Sequence, residues 1–281
     1  MEILLMQFVS PNMKKIFLQI SLLIILFFSV LGALNQVDWM RLFRVEKITK
    51  STEKKLGDLF WNLYHSSKDE INNDSAHRIM DSLLTRICSS NQIDKSTIKI
   101  HIVQSTEINA FALPNQHLVI NTALIESCQN EMELCGVVAH EMAHMQLDHV
   151  MKKLIKEIGL SVLISITTGN AGAEKINEVI KLLTSSAYDR KLEKQADITA
   201  VDYLENSTIN PAEFANFLAR LGQKETTSSQ YLSWINTHPD SKERARYILE
   251  HCNKMAVQAK PVLADGSFSQ LKQLLQSQKK K

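Results

Sequence analysis

Glycine and proline are scarce in this chain, at 8 and 5 of its 281 residues. Both residue types interrupt helices, so their low number, together with a hydrophobic fraction of 44%, favours a globular and mostly helical protein. No internal repeat and no linker rich in proline, glycine or serine divides the sequence. We therefore predict one main domain of the α+β class, with helices packed on one side of a small antiparallel sheet.

An excess of charge is also missing. The chain carries 32 lysines and arginines against 30 aspartates and glutamates, which gives a formal net charge of +2. A protein that binds nucleic acid through a large basic face needs a stronger excess of positive charge. The composition therefore predicts no nucleic-acid partner.

Cysteine is limited to four residues, and none has the C-x-x-C spacing of a thiolate zinc site. The four are Cys88, Cys128, Cys135 and Cys252. In an oxidising compartment an even number permits two disulfides in three alternative pairings. Small buried thiols are an equally good interpretation, and spacing alone does not decide between the two.

The N-terminus holds the one long apolar run, over 16–34, which follows two lysines and contains small residues near its end. This pattern predicts that 1–33 is a secretory signal peptide, and Met13 is an alternative start to Met1. The run is also long enough to span a bilayer as an uncleaved anchor, although we favour cleavage. In both cases we expect an exported protein, either periplasmic or anchored to the membrane and facing the periplasm.

The rest of the chain is predicted to form one domain over 34–260. We assign 261–281 as a basic C-terminal tail and expect its last residues, SQKKK, to be solvated. Any membrane association is expected to come from the N-terminal segment.

Secondary structure can be predicted for the middle of the chain. Apolar and polar residues alternate over 98–102, and turn residues at 114–116 separate two more short strands. Asn130 is a suitable N-cap for a helix that we expect to reach about Lys153. A second long helix is predicted over 175–205.

The predicted central helix contains the stretch VVAHEMAHMQLDH, in which His140 and His144 lie four residues apart. On a helix both imidazoles project from one face and can reach one zinc ion. Glu141 lies beside them, where a carboxylate can accept a proton from metal-bound water. Without a metal, two imidazoles and a carboxylate in apolar surroundings would carry a large desolvation cost. We predict one zinc ion per chain.

A catalytic zinc site needs a third protein ligand. In the longer motif H-E-x-x-H-x-x-G-x-x-H the last histidine is this ligand, but the corresponding residue here is Val150, which cannot bind a metal. His149 is expected to face away from the pair on a continuous helix, at the surface or behind the ligands. On the later helix, Glu193 is a candidate ligand. Asp197, one turn beyond, can accept a hydrogen bond from the outer nitrogen of a ligand histidine.

Four stretches within residues 109–248 resemble the family-48 zinc metallopeptidases, a group with HtpX-like, Oma-like and BepA-like members. They are NAFALPNQHLVINTALI, ELCGVVAHEMAHMQLDH, DRKLEKQAD and THPDSKERARYI. The resemblance implies a zincin-like (gluzincin) domain. It also implies that His140, His144 and Glu193 bind zinc, that Glu141 is the general base and acid, and that Asp197 orients a ligand.

The resemblance implies further roles near the site. His238 would occupy the fourth zinc position as a self-inhibiting ligand or help to stabilise an oxyanion, and Arg244 would bind the oxyanion or the substrate carbonyl. The strand that contains Asn109, Ala110 and Phe111 resembles an edge to which an extended peptide substrate adds. BepA-like relatives carry C-terminal helical repeats, and we expect no partners bound through such repeats in this protein.

We therefore expect a zinc endopeptidase of the cell envelope that hydrolyses unfolded or misassembled proteins, with a link to envelope assembly machinery. The alternative is a latent protease that acts mainly as a chaperone-like assembly factor, with its zinc site blocked by His238.

Overall fold

The computed structural model describes residues 11–36, 45–224, 229–252 and 260–278, and it divides the chain into two units, Met1–Lys50 and Ser51–Lys281. The first unit contains helix α1, Pro11–Gln36. Residues 1–10 of the predicted signal segment lie outside the described ranges. None of the helices in these ranges is both long and apolar enough to cross a membrane.

Helices dominate the rest of the chain, as predicted. In chain order the remaining helices are α2 (Val45–His65), α3 (Asp74–Ser90), α4 (Thr122–Ser127), α5 (Glu131–Gln146), α6 (His149–Ile158), α7 (Leu160–Thr167), α8 (Ala173–Ser185), α9 (Arg190–Asn206), α10 (Ala212–Lys224), α11 (Ser229–Thr237), α12 (Ser241–Cys252) and α13 (Ser267–Gln278). The strands are β1 (Lys99–Val103), β2 (Ala110–Leu113) and β3 (His117–Asn121).

The three strands form one small sheet in the order β1-β3-β2, and the sheet is mixed rather than antiparallel throughout. β2 and β3 are the predicted antiparallel hairpin, with Asn115 and Gln116 at positive φ in the turn between them. β1 and β3 are parallel. After β1 the chain first forms β2 at the far edge of the sheet. The hairpin then places β3 in the gap between β1 and β2. Alternation along one strand cannot reveal this crossover.

Helix α5 lies at the centre of the second unit, and its residues from Glu133 to Met145 are all buried. Its start is fixed by the predicted cap, since the Asn130 side chain accepts a hydrogen bond from the Glu133 N–H at 3.0 Å. The Glu133 carboxylate in turn accepts from the Gln129 N–H and pairs with Arg220. The helix therefore begins at a fixed register, which determines where its histidines point.

α9 packs most extensively on α5, followed by α10 and the edge strand β2. Gly136 permits the close approach of α10, because a Cβ at this position would lie 2.4 Å from the Cβ of Phe214. The helices of the site are therefore held at a separation that only glycine allows at this contact.

Both long helices of the prediction are interrupted. α5 ends at Gln146, and Asp148 takes a left-handed conformation (φ 57°) before α6 begins. The helix expected over 175–205 is divided by 186–189, which separates α8 from α9. Hydrophobic periodicity continues across each break, because both flanking helices bury apolar residues in the same core, so the pattern does not mark the interruption.

The predicted tail over 261–281 is wrong for its described part, which contains helix α13. Leu271 and Leu275 of this helix are fully buried, and α13 packs against α3. Lys272 donates to the backbone carbonyls of Glu126 and Cys128 at the end of α4. The two leucines are spaced for one helix face, but the polar residues around them conceal this signal.

The four cysteines, all of which lie in described segments, are free thiols, and three of them are buried. Burial raises the pKa of Cys88 to about 11 and raises the pKa of Cys128 and Cys135 further still. The buried-thiol interpretation therefore describes this structure, rather than a disulfide.

Gly136→Ala tests the close contact between α5 and α10. We expect the variant to lose about 1–3 kcal/mol of unfolding free energy through overpacking against Phe214. Gly172→Ala is the matched control, because a Cβ there meets no atom within 4 Å and the residue has no positive φ. Chemical denaturation of both variants measures the difference, and equal stabilities would contradict the packing described.

Candidate metal centre

Two histidines of α5 form one side of a buried cluster. The Nε2 atoms of His140 and His144 lie 3.1 Å apart, and both side chains are fully buried. The helical spacing of four residues produces this arrangement, because it places the two imidazoles on one face, one turn apart. Both inner nitrogens therefore face the same point, between α5 and α9.

Helix α9 supplies two carboxylates to this point. Glu193 places Oε1 at 3.1 Å from Nε2 of His144 and Oε2 at 3.6 Å from Nε2 of His140. One turn later, Asp197 places Oδ1 at 2.9 Å from Nδ1 of His140, on the outer side of that ring. The extensive packing of α9 on α5 thus delivers an inner carboxylate and an outer one from a single helix face.

His238 completes the cluster from the segment that follows α11. Its Nδ1 lies 3.2 Å from Nε2 of His140 and 3.1 Å from Oε1 of Glu193. His140, His144, Glu193 and His238 offer ligand atoms that all lie within 4.8 Å of one another. A tetrahedral zinc site with bonds of ~2.0–2.1 Å has ligand separations of roughly 3.3–3.4 Å. The observed distances therefore fit a metal ion of this size.

Glu141 has the least satisfied side chain of the cluster. It is fully buried, and neither of its carboxylate oxygens accepts a hydrogen bond from any residue in the described ranges. Its Oε1 lies 3.2 Å from Nε2 of His238, at an ion-pair distance without hydrogen-bond geometry. A buried carboxylate without a donor is costly unless a ligand or water supplies one, so the residues present fit a metal with bound water.

Arg244 lies behind the cluster, where a bidentate ion pair joins it to Asp197 at 2.8 and 2.7 Å. A second ion pair, at 2.7 Å, joins its Nη1 to Oε2 of Glu193. The Tyr247 hydroxyl also donates to Asp197. The guanidinium is buried and forms ion pairs with both carboxylates, on the side of Asp197 rather than between the ligand histidines.

Charges in this network shift the pKa values in opposite directions. Burial alone raises the pKa of Asp197, but Arg244 and His140 outweigh it and lower that pKa to about 2. Burial also opposes ionisation of Glu193, whose pKa nevertheless lies well below its ordinary value, chiefly because of Arg244 and then His238. For His238 burial lowers the pKa, and the surrounding carboxylates reverse this and raise it to about 9. The surrounding carboxylates therefore favour the protonated form of His238.

His149 is not at the surface, which was one of the two predicted places for it. It is fully buried, and its Nδ1 lies 3.1 Å from Nδ1 of His144. The prediction assumed a continuous helix, whereas the left-handed Asp148 redirects the chain and turns His149 back towards the ligands. Burial, and after it the neighbouring His144, lowers the pKa of His149 to about 3, so this ring is neutral.

Two aromatic side chains pack on the cluster, and neither was predicted as a site residue. The ring of Tyr188 stacks on His144 with centroids 4.0 Å apart, and Trp234 packs on His238 at 4.4 Å. The break at 186–189 is what brings Tyr188 to this place, and its N–H donates to the carbonyl of Thr237. In the sequence Tyr188 directly precedes the stretch DRKLEKQAD, and this position is the signal that could have identified it as part of the site.

The predicted substrate strand lies beside the cluster. Asn109 and Phe111 are buried, and the Thr237 hydroxyl donates to the Asn109 side chain at 3.4 Å. A cleft of about 420 Å³ opens next to this strand and is lined by Asn109, Phe111, Tyr64 and Glu107, among others. Thr237 directly precedes His238, so this end of β2 approaches the metal cluster.

An HExxH helix, a glutamate on a second helix and a small sheet beside them define a zincin-like domain. The model of Peptidase family M48 matches residues 70–251 of this chain. The chain therefore belongs to peptidase family M48.

Several curated relatives are similar to this chain. The beta-barrel assembly-enhancing protease of Escherichia coli (strain K12) is 24% identical over 228 residues, which cover 76% of this chain and 46% of the relative. Metalloprotease LoiP of the same strain is 27% identical over 175 residues, covering 59% and 68%. Mitochondrial metalloendopeptidase OMA1 of Schizosaccharomyces pombe is 23% identical over 170 residues, covering 60% and 50%. The chain spans about half the length of the beta-barrel assembly-enhancing proteases that it matches.

Arg244→Met tests the buried ion-pair network. The substitution leaves Glu193 and Asp197 buried without their cation, so we expect a loss of about 3–5 kcal/mol in the unfolding free energy of the metal-free protein. Arg190→Met is the control, because its ion pair with Asp240 involves an arginine that is 81% exposed, and surface pairs contribute about 0–1 kcal/mol. Denaturant unfolding in a chelator compares the two, and similar small losses would refute the network's role.

Proposed function

We propose that this protein is a zinc-dependent endopeptidase. Glu141 is the observation that carries this proposal: a fully buried carboxylate without a hydrogen-bond donor in the described residues, next to two histidines and a glutamate at metal-ligand separations. A structural zinc site is closed by four ligands and needs no such base. His140, His144 and Glu193 hold the ion, and Asp197 fixes the ring of His140.

The mechanism follows from the positions of these side chains. A zinc ion held by His140, His144 and Glu193 would supply Lewis acidity, which would lower the pKa of a bound water and polarise a carbonyl group. Glu141 accepts the proton of the attacking water at a carboxylate oxygen and returns it to the nitrogen of the leaving amine. Arg244 holds Glu193 and Asp197 in their charged forms, so it is a positioning residue rather than a substrate contact.

The substrate is an extended peptide segment that adds to the outer edge of β2, the edge strand of the sheet. Asn121 N–H donates to the carbonyl of Asn109, and hydrogen-bonded pairs alternate along an antiparallel ladder. Ala110 and Ala112 therefore direct their backbone groups away from β3, towards a substrate strand. Asn109 and Phe111 line the adjoining cleft and contact the substrate's side chains. Backbone pairing accepts many sequences, which suits unfolded or misassembled proteins.

An envelope setting is consistent with the names of the relatives, among them beta-barrel assembly-enhancing proteases. We propose that the protein is exported, faces the periplasm and acts in protein quality control there. The apolar run at the N-terminus supports this proposal as a signal peptide or an anchor.

Glu141→Gln tests the catalytic base. We expect cleavage of unfolded casein to fall by about 10²–10⁴-fold, because the amide cannot accept the proton, while the variant still binds one zinc ion. Glu131→Gln, on the same helix but bound to the backbone N–H groups of Val262 and Leu263, should keep its activity. Casein cleavage and metal content are measured together, and a zinc-loaded Glu141→Gln variant of wild-type activity would disprove the assignment.

A second candidate function is favoured by the place of His238, which lies between the ligand cluster and Glu141. The four ligand side chains are 0–2% exposed, and α8 contacts β2. A site covered in this way would be closed to an extended substrate. In this reading the protein is a latent protease that acts mainly as a chaperone-like envelope factor, with His238 as the blocking ligand.

His238→Ala separates the two functions. If His238 blocks a working site, the variant cleaves casein faster than the wild type, and the double variant with Glu141→Gln is inactive because the same base is used. If both wild type and His238→Ala fail to cleave while they bind unfolded protein, the chaperone-like function is the correct one. Casein cleavage and a binding assay with reduced, unfolded protein give these readouts.

A further inference from the structure

The outer nitrogen of His144 faces a second histidine rather than a carboxylate. Its inner nitrogen, Nε2, points into the cluster, 3.1 Å from Oε1 of Glu193 and 3.1 Å from Nε2 of His140. Its Nδ1 points away from the cluster and lies 3.1 Å from Nδ1 of His149. Among the described residues, His149 is the hydrogen-bond partner of this nitrogen. This contact therefore determines whether Nδ1 of His144 donates or accepts a hydrogen bond.

The two ligand histidines are supported by different chemistry. Asp197, an anion that can only accept hydrogen bonds, faces Nδ1 of His140. Nδ1 of His149 either donates or accepts, depending on which ring nitrogen of His149 carries the proton. Metal-ligating histidines usually donate their outer N–H to a carboxylate, a carbonyl or water. Because the partner of His144 is itself an imidazole, the hydrogen bond between them links the tautomer of His144 to the tautomer of His149.

Metal binding fixes both tautomers. Coordination through Nε2 of His144 uses the lone pair of that nitrogen, so the proton of the neutral ring is on Nδ1. This N–H donates to His149 only if Nδ1 of His149 is unprotonated, which places the proton of His149 on Nε2. His149 is fully buried, and its Nε2 has no hydrogen-bond partner in the described part of the chain.

The opposite arrangement suits the metal-free site. Nδ1–H of His149 then donates to Nδ1 of His144, and Nε2–H of His144 donates to Oε1 of Glu193. Each ring carries one proton in both arrangements, so the change moves protons between ring nitrogens without adding or removing any. In the metal-free arrangement Nε2 of His144 is blocked by its own proton.

We propose that His149 is a positioning residue that accepts the hydrogen bond of His144 and thereby holds His144 in its metal-binding tautomer. Burial excludes water from this contact, and the turn at Asp148 keeps the second ring in place. The inference rests on the proposed zinc site and deepens it, because it assigns the support of the second ligand histidine.

Zinc affinity of two variants tests the proposal. His149→Leu removes the acceptor, and we expect the zinc dissociation constant to rise about 10–100-fold, as is typical when the partner of a ligand histidine is lost. In His149→Asn the side-chain oxygen stands where Nδ1 stood, so a carbonyl acceptor replaces the imidazole. We expect His149→Asn to recover most of the lost affinity.

A matched control comes from the other end of the sheet. His117 is also buried, at 2% exposure, and contacts His101 and Asp58 rather than the cluster. His117→Leu removes a buried imidazole without touching a ligand, so its zinc affinity should equal that of the wild type. All affinities are measured by competition with a chromophoric chelator on protein that is folded by circular dichroism.

Nitrogen NMR of the zinc-loaded wild type gives a readout that a purely structural role would not produce. Imidazole ¹⁵N shifts distinguish protonated from unprotonated ring nitrogens, and we expect His149 to carry its proton on Nε2. A proton on Nδ1 of His149 in the zinc-bound protein would overturn the proposal.

The variants can overturn it as well. A zinc affinity of His149→Leu within about twofold of the wild type would show that His149 does not support His144. Equal losses in His149→Leu and His149→Asn would show that His149 only fills space. If the wild type itself binds no zinc, the proposed function fails. If the wild type binds zinc and the His149 variants bind it with the same affinity, only the role of His149 fails.

Discussion

Burial of charge between α5 and α9 is the constraint on which the rest of this structure depends. The interface encloses Glu193, Asp197 and Arg244, together with the histidines of the cluster, at 0–2% exposure. Taking such groups out of water is costly unless each one finds a partner of opposite charge or a metal. The close contact at Gly136, the capped start of α5 and the extensive packing of α9 all serve to place these partners within hydrogen-bonding distance.

This constraint gives the cluster an inner and an outer layer. His140, His144 and Glu193 face inward, where a metal ion can balance the carboxylate. Asp197 and Arg244 face them from behind, so the charges are already paired when no metal is present. The site is therefore held in shape by the protein itself, and Glu141 is the carboxylate of the cluster whose two oxygens both lack a hydrogen-bond partner in the described residues. This unmet hydrogen-bonding capacity lies at the carboxylate that we propose as the catalytic base.

Helix periodicity predicts which of these residues share a helix face, because it places residues four apart on one side of the helix. That rule is enough to pair His140 with His144 and Glu193 with Asp197. It fails where the chain leaves a helix. The left-handed Asp148 reverses the direction of His149, and the break at 186–189 brings Tyr188 over the cluster. The parallel pairing of β1 with β3 depends on a crossover, which the alternation of residues within a strand does not encode.

The central claim is that these residues bind one metal ion at a catalytic site. A crystal structure of the zinc-loaded protein, with anomalous data collected on both sides of the zinc absorption edge, tests this claim most directly. We predict one peak per chain, at ~2.0–2.2 Å from Nε2 of His140, Nε2 of His144 and an oxygen of Glu193. A zinc-saturated crystal without a peak at this cluster, or with its zinc bound elsewhere, would contradict the account.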